Sequence, residues 1–315
     1  MGLSSEQVDR AVGVLLGSAC GDALGAGYEF GVATPGPEGP RMIGGGLGGF
    51  APGEWTDDTS MAVAIAEVAA TGADLRSPEA LDAIAAAFRR WYDGGPADIG
   101  IQTRQVLHAA GPAPSGAGLA AAATAIHEKC RQSGGNGSLM RTAPVALAYL
   151  DDPVALVEAA MAVSALTHHD PQAGEACALW CLAIRHAVLT GTFDLWAGLE
   201  ALPADSRDFW ALRLLGAQTD LPTTFQPNGY VVTALQAAWS AIHHTPGSGL
   251  ENSLTTAILI GDDTDTVAAI AGALLGARWG AAAIPAQWLD LLHGWPGLRA
   301  DDLVALALAT VRQTA

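Results

Sequence analysis

Apolar residues recur every three or four positions along most of this 315-residue chain, which is the spacing of helices with one buried face. Ser4 and Gln7 form a capping-box pattern before the first such run, which contains Val8, Val12 and Leu15. Alternating runs of β-branched residues are scarce. The pattern therefore predicts an all-α protein, with further helices over residues 61–70, 78–92, 145–150, 154–166, 173–189, 231–242, 266–279 and 303–311.

Three segments rich in glycine or proline interrupt the helical pattern, at residues 31–53, 111–118 and 216–229. A long irregular segment inside a compact domain is usually a functional loop or a disordered one. None of the three has the composition of a flexible linker, and no repeat is visible. We therefore predict one domain over residues 1–315.

Hydrophobic residues make up 50% of the chain and charged residues only 15%, with 15 Lys and Arg against 32 Asp and Glu. The resulting charge of −17 excludes a nucleic-acid scaffold or an anionic-membrane binder held by bulk charge. A small anionic ligand remains compatible, because a bound divalent cation can reverse the local sign. The uncharged stretch 109–126 contains glycines and prolines, so it predicts a loop leading into a helix and not a membrane span.

The four cysteines, Cys20, Cys130, Cys177 and Cys181, lack the second closely spaced pair that a structural zinc site needs. They are typical of buried thiols in a reducing compartment. The N-terminal residues also lack the basic and apolar regions of a secretory signal. We therefore expect a cytoplasmic protein, and the sequence leaves its oligomeric state open.

Two acidic clusters with matching surroundings carry the strongest chemical information. Residues 55–59 are Trp-Thr-Asp-Asp-Thr, and residues 261–266 are Gly-Asp-Asp-Thr-Asp-Thr. Each cluster stands at a predicted loop-to-helix junction and precedes an Ala-rich helix with almost no charge. Helix capping is one interpretation, because Asp and Thr are common at N-caps. Capping accounts for only one or two oxygens per helix.

Metal binding is the second interpretation of these clusters. Adjacent carboxylates repel one another unless they are protonated or neutralised by a cation, and no Lys or Arg lies within a few residues of either cluster. Hard divalent ions prefer carboxylate and hydroxyl oxygens. If the two clusters converge, they can form a dinuclear site of the kind that orients a diol and activates water.

Three further features have both a functional and a structural interpretation. Asp22 and Glu29 are seven residues apart, so a continuous helix would place them on one face, although intervening glycines weaken that expectation. The glycine-rich residues 133–141 can cradle a phosphate with backbone N–H groups or form an ordinary turn. The histidines at 168–169 and 243–244 end predicted helices, where an exposed imidazole can compensate the helix dipole.

In chain order, these residues resemble the motifs of the ADP-ribosylglycohydrolase family, most closely its bacterial branch typified by dinitrogenase reductase-activating glycohydrolase. The resemblance extends over nearly the whole chain. It rests on GDALG with a following Glu (21–29), EWTDDTSMA (54–62), DIGIQT (98–103), GGNGSLMRTAPVAL (134–147) with the downstream Thr-His-His, GYVVTALQAAW (229–239) and GDDTDTVAAIAGALLGA (261–277).

The resemblance implies one compact all-α domain of orthogonally packed helices around a central cleft that holds two Mg²⁺ or Mn²⁺ ions. It implies cleavage of the bond between ribose C1″ of ADP-ribose and an acceptor, with an ADP-ribosylated protein as substrate. By motif position, the implied metal ligands are Thr56, Asp57, Asp58, Asp263, Asp265 and Thr266. The implied catalytic residues are Asp58, Glu29 and Asp263. The implied substrate-binding residues are Gly135, Asn136, Gly137, Ser138, His168 and Tyr230.

The bacterial branch implies arginine as the acceptor, and three alternatives stay open at this point. In the first alternative, the acceptor is a serine, a nucleic acid or the small ester O-acetyl-ADP-ribose instead of arginine. A nucleic acid would then bind only as an ADP-ribosylated substrate. A second alternative is a protein that binds ADP-ribose without catalysis or has a structural role. A third is an unrelated divalent-metal hydrolase of phosphates. The intact acidic clusters favour an enzyme.

Overall fold

The computed structural model describes residues 2–130, 132–245 and 249–312, and helices make up nearly all of the regular structure within them. The α-helices are α1 Ser5–Gly25, α2 Asp57–Ala69, α3 Pro78–Asp93, α4 Ile101–Ala110, α5 Gly116–Cys130, α6 Ala143–Ala148, α7 Pro153–Ala165, α8 Pro171–Thr190, α9 Ala204–Thr219, α10 Val231–His243, α11 Gly249–Leu259, α12 Thr264–Trp279, α13 Ala286–Leu291 and α14 Ala300–Arg312. Strands β1 His293–Gly294 and β2 Leu298–Arg299 form one short antiparallel hairpin. The all-α prediction is therefore confirmed.

Helix starts agree with the predicted pattern, with two shifts that matter for the acidic clusters. The capping box at Ser4 and Gln7 is present. Helix α2 begins at Asp57 and α12 at Thr264, a few residues earlier than predicted, so each acidic cluster spans the start of its helix. The predicted break at 216–229 is wrong at its start, because Gly216 lies inside α9. One glycine costs a helix only about 1 kcal/mol, and buried Trp210 and Leu214 anchor α9 in the core.

Helices α1 and α12 pack backbone to backbone through glycines. A Cβ placed on Gly272 would lie 2.1 Å from the carbonyl oxygen of Gly17, and one on Gly276 would lie 1.8 Å from that of Gly13. Similarly, a Cβ on Gly21 would lie 2.1 Å from the carbonyl oxygen of Ala268. Any side chain at these positions would push the helices apart, since atoms cannot approach that closely. These glycines, Gly13, Gly17 and Gly21 of α1 and Gly272 and Gly276 of α12, form a glycine seam that fixes the distance between the two central helices.

The same seam brings the C-terminal end of α1 against the N-terminal end of α12. A Cβ on Gly25 would lie 2.4 Å from the Cα of Asp265, and the Thr264 hydroxyl donates to the Gly25 carbonyl at 2.9 Å. Asp22, one turn before Gly25, is fully buried at this junction. Three acidic segments meet here, because the start of α2 also bonds to Asp22.

Helix α1 has an unusually apolar sequence that its position explains. The helical run Ser5–Gly31 has a mean hydropathy of 1.2 over an 18-residue window, enough by length and composition to cross a membrane. That whole window is buried inside the protein, where α1 contacts α12, α14 and α8. The apolar composition therefore serves a core helix of this fold.

Three of the four cysteines are buried free thiols, as predicted: Cys20, Cys177 and Cys181. Burial raises the pKa of the Cys177 thiol. Cys130, at the end of α5, is exposed, so the prediction of burial is wrong for that residue. It ends a helix whose buried side chains, Leu119 and Ala123, lie nearer its start.

Candidate active site

The start of α2 is capped without using either of its own aspartates. The Thr56 hydroxyl accepts from the amide of Asp58 at 3.4 Å, which is the N-cap interaction. The carboxylate of Asp22 accepts from the amides of Thr56 and Thr59, each at 3.0 Å, and from the Thr59 hydroxyl at 2.6 Å. Capping therefore accounts for Thr56 and Asp22. It leaves the carboxylates of Asp57 and Asp58 available for another role.

The start of α12 is organised differently, by asparagines from two other segments. Asp263 is the N-cap residue, but its side chain makes no cap hydrogen bond. Its carboxylate accepts from the Asn136 amide group at 2.7 Å, and its backbone amide donates to the Asn228 side chain at 2.9 Å. The preceding Asp262 has φ of 66° and accepts from the backbone amide of Asn228 at 2.8 Å. Asp263 is thus held by Asn136 and Asn228 and does not cap its own helix.

The two acidic clusters meet directly, as predicted. The hydroxyl of Thr266 donates to one oxygen of Asp58 at 3.2 Å, although these residues are 208 positions apart in sequence. The hydroxyl of Thr56 donates to the other oxygen, also at 3.2 Å. Carboxylate oxygens converge within 4.8 Å of one another in two groups that share Asp265, namely Asp22, Asp58 and Asp265, and Glu29, Asp263 and Asp265.

Burial and mutual repulsion raise the pKa values throughout this cluster. Burial raises the pKa of Asp22 to about 6, although its hydrogen bonds oppose the shift. Burial and then repulsion by Asp98 raise the pKa of Asp57 to about 7. Burial and then repulsion by Asp263 raise the pKa of Glu29 to about 8. For the same reasons, the pKa values of the remaining members, Asp58, Asp263 and Asp265, are also raised.

The donor set fits divalent cations. Among the described residues, no Lys or Arg forms an ion pair with any of the six clustered carboxylates. The nearby buried cation, Arg141, instead donates to the Thr167 hydroxyl and to the Met61 sulfur. Clustered carboxylates without a compensating side chain are costly to ionise. Hard divalent ions remove that cost and prefer oxygen ligands.

A cleft of about 500 Å³ opens beside the acidic cluster. Its lining combines predicted metal ligands and catalytic residues with predicted substrate-binding residues. The lining residues from these two sets are Glu29, Asp57, Asp263, Asp265 and Thr266, and Gly135, Asn136, Gly137 and His168. Asp58 is only 1% exposed and does not line the cleft. Its position is suited to holding the cluster together and unsuited to exchanging protons with a ligand.

Only some of the predicted substrate-binding residues of the glycine-rich loop line the cleft. The backbone amide of Asn136 donates to the Gly229 carbonyl at 3.1 Å, so it is not free for a phosphate. The Ser138 hydroxyl accepts from Ser164 at 2.9 Å and from the Cys177 thiol at 3.5 Å on the buried side of the loop. Ser138 therefore lies outside the cleft lining. The 3₁₀ turn Asn136–Ser138 points this hydroxyl inward, and the predicted contact between the Ser138 backbone and the substrate stays a prediction.

Tyr230 stands at the far edge of the loop, where a second open cavity of about 490 Å³ continues past Gly135. Its side chain is 43% exposed, and its hydroxyl donates to the Gln172 side chain. The main chain of Tyr230 pairs with that of Gly135 as an antiparallel bridge. The aromatic ring and the glycine loop are thereby held next to each other.

Two features predicted with structural alternatives are resolved by burial. His168 is 3% exposed, so it is not the exposed imidazole of the alternative interpretation, and Glu29 is likewise buried, at 6% exposed. The helix does not continue from Asp22 to Glu29, as the intervening glycines indicated, because α1 ends at Gly25 and Glu29 has extended torsion angles (φ −52°, ψ 133°). This change of direction turns Glu29 into the cleft.

Sequence reasoning left two acidic residues of the site unassigned. Asp22 belongs to one of the two converging carboxylate groups. Asp98 lines the cleft and also a neighbouring cavity of about 250 Å³, as does Asp57. Asp22 lies in the motif GDALG and Asp98 in the motif DIGIQT. The motifs therefore contained both residues but did not indicate what each one does.

The fold and the site define a helical protein with a carboxylate-rich cleft at the junction of α1, α2 and α12. The sequence profile described as ADP-ribosylglycohydrolase matches residues 3–315. The chain therefore belongs to the ADP-ribosylglycohydrolase family, and it is a hydrolase of that class.

Relatives of known name support the same family membership. The chain is 31% identical over 297 residues to the ADP-ribosylarginine hydrolase Tri1 of Pseudomonas putida (strain GB-1), covering 91% of this chain and 76% of that protein. It is 30% identical over 295 residues to the ADP-ribosyl-dinitrogen reductase glycohydrolase of Rhodospirillum rubrum, covering 90% of each. A solved structure titled ADP-ribosylglycohydrolase-related protein complex superposes with a TM-score of 0.72 at 30% identity, covering 99% of this chain and 100% of that chain.

Proposed function

We propose that the protein removes ADP-ribose from modified arginine side chains by hydrolysing the bond at ribose C1″. The observation that carries this proposal is the convergence of two acidic clusters, 208 residues apart, beside a cleft lined by a glycine loop and a buried histidine. Two named relatives, one an ADP-ribosylarginine hydrolase, support the substrate class.

Two divalent cations, Mg²⁺ or Mn²⁺, are the proposed cofactors. The proposed ligands are the predicted Asp58, Asp263 and Asp265, which belong to the two converging carboxylate groups, together with the predicted Thr56, Asp57 and Thr266. When bound, such ions orient a sugar diol and lower the pKa of water. Asp22 holds the amides of Thr56 and Thr59 and so fixes the start of α2 for this role.

Hydrolysis breaks the bond between C1″ and the arginine nitrogen and forms a bond from C1″ to a water oxygen. One proton of that water is lost, and the departing guanidine nitrogen gains one. Positive charge develops on the sugar as the bond breaks, and the carboxylates lining the cleft stabilise it. Proton transfer requires a group that contacts the cleft, which favours Glu29 or Asp98 over the enclosed Asp58.

The side of the cleft formed by the glycine loop and His168 is proposed to hold the ADP-ribose. Gly135 and Gly137 lie against the ring of His168, since a Cβ on either glycine would be 3.3 Å from Nε2, and all three residues line the cleft. Tyr230 continues this wall into the adjoining cavity, where its exposed ring suits stacking on the adenine. Asn136 contributes by holding Asp263 rather than through its backbone amide.

Arginine as the acceptor is supported by the cavity next to Asp57 and Asp98. Its lining includes three carboxylates, from Asp57, Asp98 and Glu54, and no Lys or Arg. Four aromatic residues also line it, namely Phe50, Trp55, Trp91 and Trp295. Aromatic and acidic groups together suit a guanidinium, which binds by charge and by stacking.

We expect this reaction to occur in the cytoplasm.

The test is release of free ADP-ribose from a protein modified on arginine, compared with a peptide modified on serine. Each substrate is incubated with the purified chain in Mg²⁺, in Mn²⁺ and in chelator. We expect release from the arginine-linked substrate with either metal and none in chelator. Release from the serine-linked substrate alone would overturn the acceptor assignment, and no release from either would overturn the proposed reaction.

A further inference from the structure

Arg141 is a fully buried cation with no carboxylate partner among the described residues. One terminal nitrogen donates to the hydroxyl of Thr167 at 2.6 Å, and the other lies 3.4 Å from the sulfur of Met61. The guanidinium carbon is 4.5 Å from the centre of the Phe88 ring. Burying a charge costs free energy unless the charge is paired and hydrogen-bonded. The shortest hydrogen bond of the buried Arg141 guanidinium goes to one hydroxyl, that of Thr167.

That hydroxyl is shared with His168. The Thr167 oxygen lies 2.8 Å from Nδ1 of His168, and Thr167 is fully buried. A guanidinium can only donate, so Thr167 accepts from Arg141 and keeps its own hydrogen for another acceptor. Nδ1 is the acceptor that the described contacts offer. A hydrogen on Nδ1 would put two donors on one oxygen and leave the buried hydroxyl hydrogen unpaired, which costs free energy.

A neutral imidazole with an unprotonated Nδ1 carries its hydrogen on Nε2. The Nε2 atom faces the glycine loop, because a Cβ on Gly135 or on Gly137 would lie 3.3 Å from it. The ring lines the cleft, and the described contacts give Nε2 no protein partner. Burial and then the charge of Arg141 lower the pKa of His168 to about 3, so the ring stays neutral near physiological pH.

We propose that Arg141 and Thr167 are positioning residues that fix His168 as a permanent Nε2–H donor to an oxygen of the ligand in the cleft. The ligand oxygen belongs to a phosphate or to a sugar hydroxyl, both of which accept hydrogen bonds. The identification of that ligand as ADP-ribose rests on the proposed function. The tautomer itself rests only on the contacts of Arg141, Thr167 and His168.

The hydrogen bonds that join Arg141, Thr167 and His168 are called the relay below. The first measurement needs no substitution of Arg141 or Thr167. Nitrogen-15 NMR of the ligand-free protein distinguishes a protonated from an unprotonated ring nitrogen, and the signals of His168 are those missing in His168→Asn. We expect an unprotonated Nδ1 and a protonated Nε2 between pH 6 and pH 8. A hydrogen on Nδ1, or a ring that titrates in this range, would overturn the proposal even if the protein binds ADP-ribose.

The second measurement compares Thr167→Val, which removes the hydroxyl, with Thr167→Ser, which keeps it. By calorimetry, we expect the Val variant to bind ADP-ribose about tenfold more weakly than the original protein, because without the Thr167 hydroxyl the hydrogen bond from Nε2 of His168 to the ligand is weakened or lost. The affinity of the Ser variant should remain within about twofold of that of the original protein. The Val variant should also show mixed His168 tautomers. Equal affinity of both variants, or a Val variant with an unchanged tautomer, would refute the relay.

Repeating the titrations with ADP identifies the oxygen that His168 contacts. A weaker affinity of the Val variant for both ADP and ADP-ribose assigns the hydrogen bond to the ADP portion, whereas a loss for ADP-ribose alone assigns it to the terminal ribose; either result supports the relay. If the original protein binds neither compound, the proposed function fails. The NMR measurement still decides whether Arg141 and Thr167 fix the tautomer.

Discussion

The first turns of α2 and α12 contain the same residue types but use them differently. In α2, the Thr56 hydroxyl provides the helix cap, and Asp22 from α1 binds two more amides. In α12, Asp263 occupies the N-cap position without capping and is held by Asn136. The N-cap hydrogen bond therefore explains Thr56 at the start of α2, whereas at the start of α12 a first-turn amide, that of Thr266, donates to the Asp265 carboxylate at 2.8 Å. The comparison therefore separates oxygens that build the helices from oxygens that remain for the cleft.

The largest expected effect is loss of turnover when one carboxylate of each cluster is neutralised. Asp58→Asn and Asp265→Asn should each reduce kcat for ADP-ribose release by at least about 100-fold, since even the loss of outer partners of metal ligands costs 10- to 100-fold. The matched control is Asp262→Asn, whose side chain still accepts from Asn228 and tolerates positive φ. Near-original activity in either cluster variant would show that the two helix starts do not act as one site.

The second prediction concerns stability against pH. In the metal-free protein, Asp22, Asp57 and Glu29 have pKa values raised to about 6, 7 and 8, above their unfolded values. The folded state therefore binds more protons than the unfolded state from about pH 4 to pH 8, and the free energy of unfolding should fall as pH rises through that window.

Divalent cations should reverse this loss. With the free ion about 100-fold above its Kd, the Tm at pH 8 should rise by roughly 5 °C or more. The rise should be smaller at pH 5, where protons compete for the same carboxylates. Thermal scans in chelator, Mg²⁺ and Mn²⁺ measure both effects. Equal shifts at the two pH values would contradict a carboxylate site.

The third prediction separates the ligand-binding wall from both acidic clusters. Tyr230→Ala should weaken ADP-ribose binding by about tenfold, because an exposed aromatic ring that stacks on a base contributes on the order of 1–3 kcal/mol. The metal content of this variant should stay unchanged, since Tyr230 contacts Gln172 and the glycine loop and not the carboxylates. Unchanged affinity by calorimetry would remove Tyr230 from the ligand site.

The smallest expected effect tests the cap itself. Thr56→Ala should lower the free energy of unfolding of the metal-free protein by about 1 kcal/mol, as expected for an N-cap, whereas Thr56→Ser should cost less. Chemical denaturation in chelator measures this difference. If the Ala and Ser variants are equally stable, the hydroxyl of Thr56 does not cap α2, and the contrast with α12 disappears.

Helical periodicity and the family motifs predicted the all-α fold and the position of both acidic clusters. They did not show the glycine seam between α1 and α12, because the spacing of Gly13, Gly17 and Gly21 acquires meaning only from a partner helix far along the chain. The loop residues were harder still. The torsion angles of the turn at Asn136 decide that Ser138 points into the core, and no spacing rule contains them.

Anomalous scattering from crystals grown with Mn²⁺ tests most directly whether the starts of α2 and α12 form one metal site. We expect two neighbouring peaks at the acidic cluster beside the cleft, with oxygens of both Asp58 and Asp265 about 2.1 Å from metal, a typical distance for a small divalent ion. A site without peaks, or peaks that contact residues of only one helix start, would contradict the metal-dependent function.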